Sequence, residues 1–198
     1  MATSWPRTVL LVSGACFVLL ALSVAVLGTP PGDAAARDAL LGLTAPPLVA
    51  AMHAVNYAGS WKLLLPATLL LVVAFRHARE RWYVWIGLMI AAPATEGILK
   101  LIIGRPRPED ASMGFPSGHA TAAAAFFGAV IYLAEPLRPS VRRLVRAAAI
   151  AVIVLVAVAR VILRAHWPSD ALAGIALGTA FASAATLLAS PRRAVQDP

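Results

Sequence analysis

Charge is what this sequence has least of. Only 13% of its 198 residues are Asp, Glu, Lys or Arg, against about 25% in a typical soluble domain. Hydrophobic residues make up 60% and mean hydropathy is +0.79. Such a chain has more apolar surface than a water-soluble core can absorb, and its natural solvent is lipid. Cysteine is nearly absent too. Cys16 stands alone in an apolar run, which excludes an internal disulfide and any Cys-based metal site. Acidic residues are few, nine against seventeen Lys and Arg, and they form no carboxylate cluster for metal ions. No internal repeat, low-complexity tail or linker divides the chain, so residues 1–198 read as one integral-membrane domain. The net charge of +8 does not point to nucleic acid. The basic residues fall in short clusters between apolar runs, which is the pattern of membrane topology signals.

The apolar runs are long. A helix needs roughly 20 apolar residues, at about 1.5 Å each, to cross the hydrocarbon core of a bilayer. Six spans are expected, at about 8–28, 58–75, 82–103, 119–134, 144–163 and 169–190. The fold class is therefore all-α, a polytopic membrane protein built as a six-helix bundle. The second and fourth spans are short, and the third is interrupted by Glu96 and Lys100. Segment 45–57 reads as an interfacial helix or an extension of the second span. A cleaved signal peptide is the other reading of 8–28. Its apolar stretch is long for that role, and no A-x-A site follows at the usual distance.

Lys and Arg set the expected direction. Arg7, then Arg76, Arg79 and Arg81, then Arg138, Arg142 and Arg143, then Arg192 and Arg193 fall in alternate connections and at both termini. The positive-inside rule makes these cytoplasmic. The opposite side holds 29–57, 104–118 and 164–168.

Three clusters then fall on that outer face. They are Lys100-Leu-Ile-Ile-Gly-Arg105-Pro-Arg107-Pro108, Pro116-Ser117-Gly118-His119, and Arg160-Val-Ile-Leu-Arg164-Ala-His166-Trp-Pro-Ser-Asp170. Three basic or imidazole clusters at one face describe an anion site. The pattern K-x6-R-P, P-S-G-H and R-x5-H-x3-D resembles the signature of the type 2 phosphatidic acid phosphatases, whose superfamily also holds vanadium haloperoxidases and bacterial acid phosphatases. The motifs cover about residues 95–175, and the span layout extends the likeness to the whole chain. One position departs: the family usually has Ser before the third-motif Arg, where this chain has Ala159. A modest loss of phosphate binding is expected from it.

Each position has a physical reading beside the resemblance. Arg offers forked donors that match phosphate oxygens, and Lys a point charge. Lys100, Arg107 and Arg160 are thus the expected phosphate clamp. Ser117 and Gly118 open the fourth span, where free N–H groups and the positive dipole end favour an anion; Ser117 also reads as a plain helix cap. His119, in the first turn of that helix, is placed to protonate a departing oxygen. His166 and Asp170 are four apart, so on a helix they share a face. Asp170 accepts from one ring nitrogen and leaves the other free toward substrate. The resemblance assigns His166 as nucleophile, with a phosphohistidine intermediate. Glu96 is expected to neutralise Lys100 in part, and Arg105 and Arg164 to meet lipid headgroups or remote substrate charge. His53 and Asn56 are candidates for the substrate entrance. Glu109 and Asp110 read as solvated loop residues.

The resemblance implies a lipid phosphate or diphosphate phosphatase at the outer face of the cytoplasmic membrane. No metal or other cofactor is expected, because the cationic side chains supply the electrostatics. Undecaprenyl diphosphate and phosphatidylglycerophosphate are the substrates it suggests, the first favoured by an outward site. The rival readings are a lipid A or glycolipid phosphatase or phosphotransferase, a transporter or lipid binder without chemistry, and a haloperoxidase. His119, His166 and Asp170 argue against the binder, and lipid-embedded spans argue against the haloperoxidase. Headgroup, chain length and oligomeric state are not encoded in the motifs.

Overall fold

The computed structural model describes residues 4–190. These form α1 (Trp5–Leu27), α2 (Asp33–Gly42), α3 (Pro46–Asn56), a 3-10 turn (Tyr57–Gly59), α4 (Trp61–Ala74), α5 (Arg76–Glu80), α6 (Trp82–Ile103), α7 (Gly118–Leu133), α8 (Pro139–Ile162) and α9 (Pro168–Ala189). The chain is an integral membrane protein. Leu11, Leu19 and Val26 on α1 stand 72%, 67% and 79% exposed, a cost that only lipid removes.

Each expected span has a helix, but they are not six equal crossings. α1, α6, α8 and α9 are long and apolar enough to cross a membrane; α4 and α7 are shorter apolar helices. At 14 and 16 residues they reach only about 21 and 24 Å, short of the roughly 30 Å hydrocarbon core. For α7 the reason lies in packing. Ten of its residues are buried, so its ends meet protein rather than lipid. Irregular backbone at that depth is tolerated where protein encloses it, and Phe115 and Ser117 are both fully buried.

The connection expected as an outer loop, 29–57, is mostly helical. α2 and the α3 segment are bent by 118°, and α3 is a helix separate from α4. The helix α8 begins at Pro139 rather than near 144. The charges of Arg142, Arg143 and Arg146 lower hydropathy there without weakening the helix.

α7 and α9 form the centre. Their backbones approach closely because glycine faces α7: a Cβ at Gly174 would lie 2.6 Å from the Ser117 carbonyl oxygen, and one at Gly178 would lie 2.7 Å from the Ala124 methyl. A small-residue seam is how membrane helices gain packing without a hydrophobic driving force. α1 lies along α9 and stacks Phe17 on Phe115, with centroids 6.1 Å apart. At the opposite end of the bundle Trp5 stacks on Tyr132 at 4.4 Å, with Arg146 5.6 Å above the Trp5 ring. Arg192 and Arg193 lie outside the described residues.

Candidate active site

Three chain segments meet at one end of α7 and α9. The first, 104–117, folds back on itself. Gly114 N–H donates to the Arg105 carbonyl at 2.7 Å and Arg107 N–H to that of Ser112 at 3.0 Å. The second is the start of α7, tied to α9 by Ser117 N–H donating to the Asp170 carbonyl at 2.9 Å. The third is the turn after α8. Arg164 adopts φ 59°, and the N–H groups of Ala165 and His166 both donate to the Arg160 carbonyl, at 3.1 and 3.2 Å. This reversal brings His166 back beside Arg160.

His166 is 1% exposed. Its Nδ1 lies 3.4 Å from Asp170 Oδ2, which also accepts the Trp167 N–H at 3.1 Å. The expected pair forms, but by another route. His166 precedes α9, and Asp170 reaches back from the first turn as the helix's own cap. A carboxylate only accepts, so the proton is assigned to Nδ1 and the lone pair to Nε2. Burial pushes the imidazole below its usual range; Asp170 opposes this, while Arg160 and Arg107 add to it. That direction favours the neutral ring, the form a nucleophile needs. Gly114 makes room for this arrangement, since a Cβ there would sit 2.9 Å from Asp170 Oδ2.

His119 is half-buried in the first turn of α7. Arg160, His166, Lys100 and Arg107 all lie within electrostatic reach of it. Gly59 supports it from behind, where a Cβ would fall 2.8 Å from the His119 carbonyl oxygen.

The three expected clamp residues converge here. Lys100 Nζ pairs with Glu96 Oε1 at 2.5 Å, as expected. Arg160 donates to Asn56 Oδ1 at 2.7 Å, so Asn56 braces the clamp. Arg107 lies 3.7 Å from Asp110 Oδ2. Six buried side-chain polar atoms among the described residues lack a hydrogen-bond partner, and three of them are donors on the segments that meet here: Arg107 Nε, Arg160 Nε and Ser117 Oγ. Buried polar groups are nearly always bonded, so unpaired donors from three segments point to an acceptor-rich ligand. Ser117 stands at the N-cap of α7, but its side chain makes no capping bond. The plain-cap reading therefore fails.

Ala159 is fully buried and packs with Met52 and Ile162. Its methyl fills an apolar contact.

Arg105 departs from expectation. It is 5% exposed and turned into the protein interior. Its Nη1 donates to Asp170 Oδ1 and Ser169 Oγ, and its Nη2 to Asp33 Oδ2, each at 2.6 Å. A buried guanidinium needs such pairing. Arg164 is exposed and pairs with Glu109 at 2.9 Å; Glu109 also accepts from Arg37 at 2.5 Å. Arg164 above all, and then Arg37, hold the Glu109 carboxyl below its usual range. Asp110 accepts from Ser112 N–H at 2.7 Å. Both acids are exposed, yet neither is merely solvated. His53 is exposed on α3.

Sequence reasoning missed Asp33, Arg37 and Ser169. One signal was available: Pro-Pro-Gly-Asp before an Ala-rich segment is a helix start with an acid in its first turn.

The PAP2 superfamily profile matches residues 81–194. Phosphatidylglycerophosphatase B of Bacillus subtilis (strain 168) is 27% identical over 173 residues, covering 82% of this chain and 85% of that protein. The lipid A 1-phosphatase of Rhizobium johnstonii is 32% identical over 133 residues, covering 57% of this chain and 51% of that protein. The crystal structure of the first transmembrane PAP2 type phosphatidylglycerolphosphate phosphatase from Bacillus subtilis superposes with a TM-score of 0.80 at 23% identity, covering 94% of this chain and 96% of that one. The profile match takes in all three clusters that build the site, and the chain belongs to the PAP2 superfamily.

Proposed function

We propose that the chain is a membrane lipid phosphatase working by double displacement on His166. The observation that carries this is the set of buried, unpaired donors on Ser117, Arg107 and Arg160 around a neutral imidazole oriented by a carboxylate. Phosphate oxygens satisfy those donors, together with Lys100 and the free N–H groups at Gly118. His166 Nε2 attacks phosphorus, and the bond from phosphorus to the lipid oxygen breaks. His119, which the negative charge of the bound phosphate lets carry a proton among the surrounding cations, gives that proton to the departing oxygen. Water then attacks the phosphohistidine, His119 takes a proton from it, and phosphate leaves with His166 restored. Asp170 stabilises the cationic ring of the intermediate.

Phosphatidylglycerophosphate is the leading substrate, because the relative named for it aligns with most of the chain. Lipid A phosphates come second on the shorter match. Undecaprenyl diphosphate rests on the outward orientation alone. Purified protein assayed on these lipids should release phosphate fastest from phosphatidylglycerophosphate. Release should persist in excess chelator and stop with vanadate, which mimics phosphoryl transfer at the histidine. Activity lost to chelator and restored by one metal would overturn the site assignment.

The six-span layout, with both termini cytoplasmic and the site facing outward from the cytoplasmic membrane, belongs to the same proposal. The alternation of Arg-rich connections supports it. Ala111 is exposed in the loop beside the site. Ala111→Cys in a Cys16→Ser background should react with an impermeant thiol reagent in intact cells whose outer membrane, if present, is permeabilised. Labelling only after lysis would reverse the orientation.

A further inference from the structure

Asp33 lies far from the three clusters in sequence and outside the matched region, yet it reaches His166 through two residues, Arg105 and Asp170. Its Oδ1 accepts the Ser169 N–H at 2.8 Å. Its Oδ2 accepts from Ser169 Oγ and from Arg105 Nη2, both at 2.6 Å. Arg105 then donates to Asp170 Oδ1, and Asp170 Oδ2 faces His166. The side chains of Asp33, Arg105 and Asp170 are 3%, 4% and 0% exposed. Arg105 also stacks over the Trp167 ring at 5.2 Å.

We propose that Asp33 and Arg105 are positioning residues for the reaction: Asp33 neutralises Arg105, so that Arg105 fixes the Asp170 carboxylate without consuming the negative charge that serves His166. The inference rests on the reading of His166 as nucleophile. The charge balance carries it. Two carboxylates against one guanidinium leave one net negative charge in a dry cluster, and it faces the imidazole. During phosphoryl transfer the ring gains positive charge, and a nearby anion in a low-dielectric site counts for more than in water. Without Asp33 the Arg105 charge has only Asp170 as its partner. The geometry also depends on the carboxylate. Both Asp33 oxygens accept, so asparagine must turn a donor toward either Arg105 or the Ser169 N–H.

The test compares Asp33→Asn, Asp33→Asn/Arg105→Gln and His166→Ala in purified, detergent-solubilised protein with matched size-exclusion profiles. Asp33→Asn should lower kcat about 10- to 100-fold, by analogy with loss of the outer-shell partners that orient metal-ligating histidines. KM and the inhibition constant of inorganic phosphate should stay within about twofold, since the clamp is untouched. The double variant restores one net negative charge and keeps a donor for Asp170. It should therefore regain part of the lost kcat, and it carries the test if Asp33→Asn alone does not fold. A kcat near the parent's in Asp33→Asn, parallel changes in KM and phosphate binding, or a double variant worse than Asp33→Asn would each overturn the proposal. Turnover surviving in His166→Ala would instead overturn the nucleophile reading, whatever Asp33 does.

Discussion

Replacing His166 with alanine should abolish turnover on every substrate, whatever its leaving group. The expected loss is on the order of 10⁶-fold, the scale on which hydrolase catalysis collapses when a nucleophile is removed. The reason is geometric. Asp170 occupies the Nδ1 side of the ring, which leaves Nε2 as the free lone pair. His119 cannot replace it, because it belongs to a different helix start and has no carboxylate partner among the described residues. Inorganic phosphate should still bind the inactive variant, read by calorimetry, since Lys100, Arg107, Arg160 and Ser117 do not depend on the imidazole for their placement. Loss of folding would appear in the size-exclusion profile. Substantial turnover in folded His166→Ala would refute the assignment.

His119→Ala should fail differently, and the difference should follow the leaving group. A lipid alkoxide departs poorly without a proton, a diphosphate leaves more easily, and an aryl phosphate leaves readily as an anion. General acid catalysis is typically worth about 10²- to 10⁴-fold. Most of that factor should vanish on lipid monophosphates and much less on the aryl ester, read as kcat/KM ratios. Equal losses across the series would make His119 a phosphate-binding residue instead of the acid.

Much of this was legible in the chain. Apolar runs near twenty residues located the helices, because lipid imposes a length that composition reveals. The three clusters named residues that the fold brings together at one end of α7 and α9. What was not legible depended on tertiary contact. Asp33 looks like an ordinary acid at a helix start, and nothing local reveals that its partners are Ser169 and Arg105. Arg105 resembles the clamp arginine two residues on, and only the fold turns one into the interior and the other toward the site. The length of α7 was ambiguous for a related reason: hydropathy does not distinguish a helix end buried in protein from one meeting lipid. The His166–Asp170 pair was found by an argument from helical spacing, although the actual contact is made by a helix cap.

Double displacement requires that phosphorus become bonded to His166. It is tested most directly by mixing enzyme with lipid phosphate carrying ³²P at the scissile group, quenching in alkali within one turnover, and mapping the label. His119→Ala protein with the aryl phosphate, whose first step needs the acid least, provides a second chance to accumulate the intermediate. An alkali-stable, acid-labile phosphoryl group is expected on the peptide containing His166, attached at Nε2 because Nδ1 faces Asp170. Label on another residue, or product formed in a single turnover with no covalent phosphoryl-enzyme in either protein, would contradict it.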